Sequence, residues 1–152
     1  MVRFKNRYLL IQLIYGPREN IAANAPANLR LNEKHLIDLI RSSIQLNFGS
    51  LGAGEAGADL NIKYYSPTTS NVILRCKRDQ VSKVRASLLF ITQINPQIPV
   101  IFNVIHVSGT IRKTQSFLID WDRQQMLGSH HINPPSEQSL KTHFDQIAEL
   151  EP

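Results

Sequence analysis

Apolar positions along the chain change period several times, and each change marks a new element. Tyr8 to Tyr15 (YLLIQLIY) is aromatic, β-branched and uncharged, which predicts a buried strand stopped by Gly16-Pro17. Arg18 to Arg30 carries Asn, Ala and Pro26 without a period and reads as a long loop. Asn32 is placed as an N-cap, with Glu33 in the first turn of a helix whose Leu36, Ile37, Ile40 and Ile44 recur at helical spacing and which ends at Gly49. Gly49 to Gly57 reads as a flexible linker. Leu60, Ile62 and Tyr64 alternate as a second strand, residues 66–70 form a turn, and Asn71 to Lys77 pairs back as a third strand. Asp79 is placed as the cap of a second helix with Val81, Val84, Leu88 and Ile91 on one face. Pro96 and Pro99 interrupt the chain before a fourth strand, Val100 to Val107. A third helix follows from Thr110 to about Met126, carrying Ile111, Phe117, Leu118 and Trp121.

The order β-α-β-β-α-β predicts an α/β (α+β sandwich) fold of the ferredoxin-like or RNA-recognition-like kind, a four-stranded antiparallel sheet with added C-terminal helices. The organisation is one α/β domain over residues 1–127 and an acidic tail over 128–152, with residues 136–150 either a last helix or a segment ordered by a partner. In this topology the first and third strands are central. The first strand has almost no polar residue on either face, so its outer face has to be covered, by the third helix or by a partner protein.

Charge sharpens the picture. The 152 residues carry a net +5, but unevenly. Residues 1–127 hold 16 of the 17 Lys and Arg against 8 acidic residues, a net +8; the tail holds Lys141 against Glu137, Asp145, Glu149 and Glu151, a net −3. A basic body calls for an anionic partner, nucleic acid first and an anionic membrane surface second. The longest apolar run is far too short to cross a bilayer, and the first residues lack the shape of a signal peptide. The single cysteine, Cys76, rules out an internal disulfide and fits a reducing compartment.

The cations fall in clusters. Arg3, Lys5 and Arg7 alternate, with Phe4 between the first two, so that an extended arm puts all three on one side for a phosphate backbone. Arg75 and Lys77 share a face of the third strand and Arg78 follows; Lys83 and Arg85 lie near the start of the second helix. Arg112 and Lys113 lie in the first turn of the third helix just after Ser108-Gly109-Thr110, where free backbone N–H groups, the helix dipole and two cations converge on a phosphate site. The third strand carries no aromatic for base stacking, so the expected mode is shape and phosphate contact with structured RNA. Other motifs carry less. Gly52 to Gly57 matches G-x-G-x-x-G but follows a helix and precedes a strand, the reverse of a dinucleotide loop. One cysteine excludes the usual structural zinc site. His106 ends a buried strand and reads as structural, a general base being the alternative; His130-His131 read as exposed; Asp120 and Asp122 point different ways on a helix and make a poor metal pair.

The start MVRFKNRYLL, the run NVILRCKRD, the segment SLLFIT and above all FNVIHVSGTIRKTQSFLI resemble the Pop-five (Rpp-fourteen/Pop-five) family of protein subunits of eukaryotic ribonuclease P and RNase MRP. The matching blocks fall in order between residue 1 and about residue 125; the 18–30 loop and the tail after Met126 carry no match, and the tail lacks the long acidic run of some relatives. The resemblance implies a ribonucleoprotein that removes the 5′ leader of precursor tRNA, and a related one that processes precursor ribosomal RNA. It implies that the RNA subunit and its magnesium ions do the chemistry, that the protein is not an enzyme by itself and binds no cofactor, and that it supports the catalytic RNA domain. The implied partners are that structured RNA, precursor tRNA in the complex, a TIM-barrel-like Rpp-thirty-type subunit and a small fold-related Pop-eight/Rpp-fourteen-type subunit, with no membrane. The implied location is nuclear, largely nucleolar. Two readings from other classes stay beside it: an enzyme of ferredoxin-like fold using His106, and a structural interaction module with incidental charge.

Overall fold

A computed structural model describes residues 5–16, 31–94, 98–128 and 137–150. The predicted loop over 18–30, Arg3, Phe4, Pro96, His130 and His131 lie outside the described residues. Four strands, β1 (Asn6–Tyr15), β2 (Asn61–Ser66), β3 (Asn71–Lys77) and β4 (Val100–Ser108), form one sheet in the order β2-β3-β1-β4, every neighbour antiparallel. Helices α1 (Glu33–Gly52) and α2 (Val81–Phe90) complete the β-α-β-β-α-β order, and α3 (Ile111–Gly128) and α4 (Glu137–Ala148) follow it.

Because β1 is central and apolar on both sides, the sheet is buried twice. On the inner face Leu9, Ile11 and Leu13 of β1 and Val72, Leu74 and Cys76 of β3 pack with Leu36, Ile40 and Ile44 of α1 and Val84 and Leu88 of α2. On the outer face Tyr8, Leu10, Ile73 and Tyr64 pack with Ile111 and Leu118 of α3 and Ile147 of α4. The cover foreseen for the outer face is therefore supplied by the chain's own α3, joined by α4. Each fully buried aliphatic side chain contributes about 1.5–3 kcal/mol, and Leu10, Leu118 and Ile147 are all fully buried there. Two polar ties fix the layer. Asn71 Nδ2 donates to Asp122 Oδ1 at 2.6 Å, anchoring α3 to β3. Gln115 Nε2 donates to Ile147 O and Leu150 O, both at 2.8 Å, taking up carbonyls that the end of α4 leaves without helical partners.

Several sequence expectations need correction. Residues 49–57 are not a flexible linker. Gly49 does interrupt the helix, at φ 66° and ψ −169°, but helical turns resume at once and continue as π-type turns over Ala53–Gly57. Ala56 and Gly57 are buried, Arg41 Nε donates to Gly57 O at 3.1 Å, and Lys83 Nζ bridges Glu55 Oε2 at 2.6 Å, so packing overrides the loop-like composition. Asn32 stands at the start of α1, but its side chain makes no cap bond. Asp79 does not cap α2; it lies inside a 3₁₀ turn, Arg78–Gln80, and Gln80 holds the cap position. Leu60, Ile62 and Tyr64 do not share a face, because the register slips between Ile62, paired with Leu74, and Tyr64, paired with Ile73. The extra residue, Lys63, sends Tyr64 to the outer core.

Gly49 lies in backbone space that only glycine occupies without strain, and a Cβ there would meet nothing within 4 Å. Gly49→Ala is expected to lower unfolding stability by about 1–3 kcal/mol through backbone strain alone, read as a reduced urea midpoint with unchanged m-value. Burial raises the Cys76 thiol to about 11, against a smaller opposing pull from Arg7. Thiol titration near pH 8 is expected to find Cys76 unreactive in the folded protein and to recover one thiol when urea is added.

Candidate nucleic-acid interface

The antiparallel pairing of β1 with β4 sets Tyr8 opposite Ser108, so the beginning of the chain runs beside the turn that leaves β4. Arg78 N–H donates to Lys5 O at 2.8 Å, which extends the path of β1 backwards along the end of β3. The Arg7 guanidinium lies over Gly109: a Cβ added to that glycine would stand 3.3 Å from Arg7 Nη1. Arg7 Nη1 also donates to Asn6 O at 2.9 Å. Ser108 is buried and its Oγ accepts from Thr110 N–H at 3.4 Å, shaping the turn into α3. Thr114 Oγ1 donates to Thr110 O at 3.2 Å, tying the first turn of α3 back to the same residue.

These elements wall a groove of about 1370 Å³. One side is Lys5, Asn6, Arg7 and Tyr8; the floor and far side come from the Gly109–Thr110 turn and from Ile111, Arg112, Gln115, Ser116 and Ile119 of α3; the end of α4 closes it with Ala148, Glu149 and Leu150. At the start of α3 the first-turn N–H groups have no helical acceptors and the helix dipole is positive, which favours an anion. Lys5, Arg112 and Lys113 are exposed, and Arg7 is half-buried.

The predicted residues thus divide. Lys5, Arg7, Gly109, Thr110 and Arg112 are brought into the one groove. Ser108 supports the turn from beneath. Lys113 is exposed beside the groove but does not line it. Arg75 and Lys77 lie in a separate hollow with Asn6 and Asp59, where Lys77 is bridged to Asp59. Asn6 lines both spaces. Arg78 is exposed and touches the arm through the backbone. Lys83 is tied to Glu55 on the helical layer of the inner face. Arg3 and Phe4, outside the described residues, directly precede Lys5.

Sequence reasoning missed Tyr8, Gln115, Ser116, Ile119, Glu149 and Leu150 as groove residues. The α3 members had a usable signal, since Arg112, Ser116 and Ile119 follow one another at spacings of four and three. The α4 members had none, because where a terminal helix docks is a tertiary fact. His106 stacks on Phe117, ring centroids 4.4 Å apart and planes 8° from parallel, and Phe117 stacks in turn toward Trp121 at 6.4 Å. The His106 ring thereby joins β4 to α3. Among the described residues no group of three or more His, Cys, Asp or Glu is placed to hold a metal ion, and no helix is long and apolar enough to cross a membrane.

Comparison with known proteins places this arrangement. The profile of the Rpp14/Pop5 family matches residues 7–119. The chain is 37% identical over 130 residues to the ribonuclease P/MRP protein subunit POP5 of Mus musculus, covering 84% of this chain and 73% of that one. It is 33% identical over 139 residues to the subunit of the same name in Schizosaccharomyces pombe, covering 90% of this chain and 99% of the relative. A chain in the cryo-EM structure of yeast ribonuclease MRP superposes with a TM-score of 0.55 at 9% identity, over 82% of this chain and 96% of that chain, a likeness of fold. The matched segment begins at Arg7 in the groove and runs through the Gly109–Lys113 turn to Ile119 in its wall, and on this footing the chain belongs to the Rpp14/Pop5 family.

Proposed function

We propose that this protein is a non-catalytic subunit of the ribonuclease P and RNase MRP ribonucleoproteins, and that it holds the catalytic RNA in its working fold. The observation that carries this reading is the convergence of Lys5, Arg7 and Arg112 with the start of α3 in one groove, on a chain of this family. Cations fixed at that place neutralise phosphates of RNA segments that otherwise repel, which favours the compact, magnesium-bound RNA. The hydrolysis belongs to the RNA subunit and its magnesium ions; the protein positions and neutralises. Precursor tRNA enters as the substrate of the whole particle, and precursor ribosomal RNA is the corresponding substrate of the MRP particle. A nuclear, largely nucleolar location goes with that role.

Protein partners are part of the same proposal: a TIM-barrel-like Rpp-thirty-type subunit and a small fold-related Pop-eight/Rpp-fourteen-type subunit. With α3 and α4 over the part of the outer sheet face around Tyr8, Leu10 and Ile73, apolar area is left for them at the end of α2 and at the uncovered end of that face. Leu89 and Phe90 are exposed in tandem at the end of α2, and Ile14 and Ile101 are exposed opposite each other on β1 and β4.

A tagged copy purified from its own cells is expected to carry one or both of the catalytic RNAs and to cleave precursor tRNA as a particle, whereas the protein alone leaves precursor tRNA intact. Recovery of no such RNA, or cleavage by the isolated protein, overturns the reading. At the level of residues, Arg112→Ala with Lys113→Ala is expected to weaken binding to the RNA subunit and to flatten its salt dependence, by up to about 1.8 in log–log slope for two lost phosphate contacts, with the thermal midpoint little changed. A salt series that superposes on the unsubstituted protein rejects the assignment of this helix start.

A further inference from the structure

The groove has a composition that phosphate binding alone does not explain. Its cations, Lys5, Arg7 and Arg112, gather where the arm meets the start of α3. Ile119, seven residues farther along α3, lies about 10 Å away along the helix axis. There the wall turns apolar, with Ile119 and Leu150, and it includes one carboxylate, Glu149, which repels phosphate. Tyr8 and Ile111 are almost fully buried beneath the wall, so the apolar surface left open is that of Ile119 and Leu150. The volume of about 1370 Å³ exceeds the roughly 300–1,000 Å³ usual for a small-molecule site, so the space fits a stretch of polymer.

Resting on the RNA-subunit reading above, we propose that the groove between the Lys5–Tyr8 arm, α3 and the end of α4 takes an unpaired segment of RNA, with phosphates on Lys5, Arg7 and Arg112 and bases against the apolar wall of Ile119 and Leu150. A duplex keeps its base faces stacked inside and shows base edges, sugars and phosphates, so it gains little from an apolar wall. An unpaired strand offers flat, weakly hydrated base faces beside its charge, and both halves of the groove are then satisfied. This changes the mode expected from sequence. α3 and α4 cover the sheet face around Tyr8, Leu10 and Ile73, and those same helices build a base-accepting wall at their edge.

The test compares three probes on the full chain by fluorescence anisotropy across a salt series: a short oligouridylate, an abasic backbone of the same length, and a blunt duplex. The oligouridylate is expected to bind about tenfold tighter than the abasic strand or the duplex, with a log–log salt slope of about −2 for three neutralised phosphates. Ser116→Trp, which fills the groove from an exposed position of α3 without removing a cation, is expected to cost the oligouridylate about tenfold and the duplex far less. Arg85→Ala, one charge lost from the exposed surface of α2, serves as the control and leaves all three unchanged. Equal binding of the abasic strand and the oligouridylate overturns the inference while leaving an RNA-binding surface in place; that comparison needs no protein variant, so a misfolded Ser116→Trp does not blunt it. Absence of salt-dependent binding to all three probes instead overturns the RNA reading itself.

Discussion

Strand β1 has no charge from Tyr8 to Tyr15 and stands at the middle of the sheet, so neither of its faces can be left to water. Much else in the molecule answers that constraint. The β-α-β-β-α-β unit brings α1 and α2 over one face and has nothing left for the other. Most of the outer face is covered by continuing the chain: α3 returns across the sheet directly after β4, and α4 adds Ile147 over Tyr8, Leu10 and Ile73. To reach that position α3 must begin at the end of β4, beside the start of β1. A basic arm, a glycine turn and a helix N-terminus meet there because the burial of β1 requires it. The groove is thus a by-product of closing the core: the pairing of β1 with β4 sets Arg7 beside the turn, and the start of α3 sets Arg112 there.

What could be read in the sequence was what depends on neighbours in the chain. Strand and helix placement, the antiparallel topology, the need for an outer cover and the Gly109–Lys113 turn all follow from local period and local chemistry. What could not be read depends on packing between distant segments. Gly52 to Gly57 has the composition of a loop, yet Arg41 and the neighbouring α2 hold it in helical turns. Lys63 is an ordinary strand residue by propensity, and only the pairing with β3 reveals that it is the extra one. Arg75 and Lys77 share a face as alternation demands, but Asp59 takes Lys77 into an ion pair, and the two sit in their own hollow. The family resemblance implies the ribonucleoprotein setting; the mixed character of the groove depends on where α4 docks.

The polar groups in the outer layer are few, and they act as locators. Asn71 and Asp122 are both almost fully buried, and their bond fixes how far α3 slides along the sheet. A charge-assisted bond of this kind contributes roughly 1.5–3 kcal/mol, and loss of Asp122 leaves the Asn71 amide N–H group buried without that acceptor. Apolar contacts alone are tolerant of a sliding helix; a directional bond is not. Arg112 and Ile119 therefore hold their stations relative to the arm because the same helix is pinned at its far end.

The Gln115 carboxamide, holding the carbonyls of Ile147 and Leu150, has a consequence in time. The groove joins Lys5 to Leu150, two residues at opposite ends of the described chain. Synthesis proceeds from the N-terminus, and domains generally fold as units as they emerge. The arm and the inner core are available early, but the wall is absent until residue 150 has been made and α4 has docked. A chain released early keeps its basic arm and lacks the cavity, so a complete groove is also a mark that translation has run through α4.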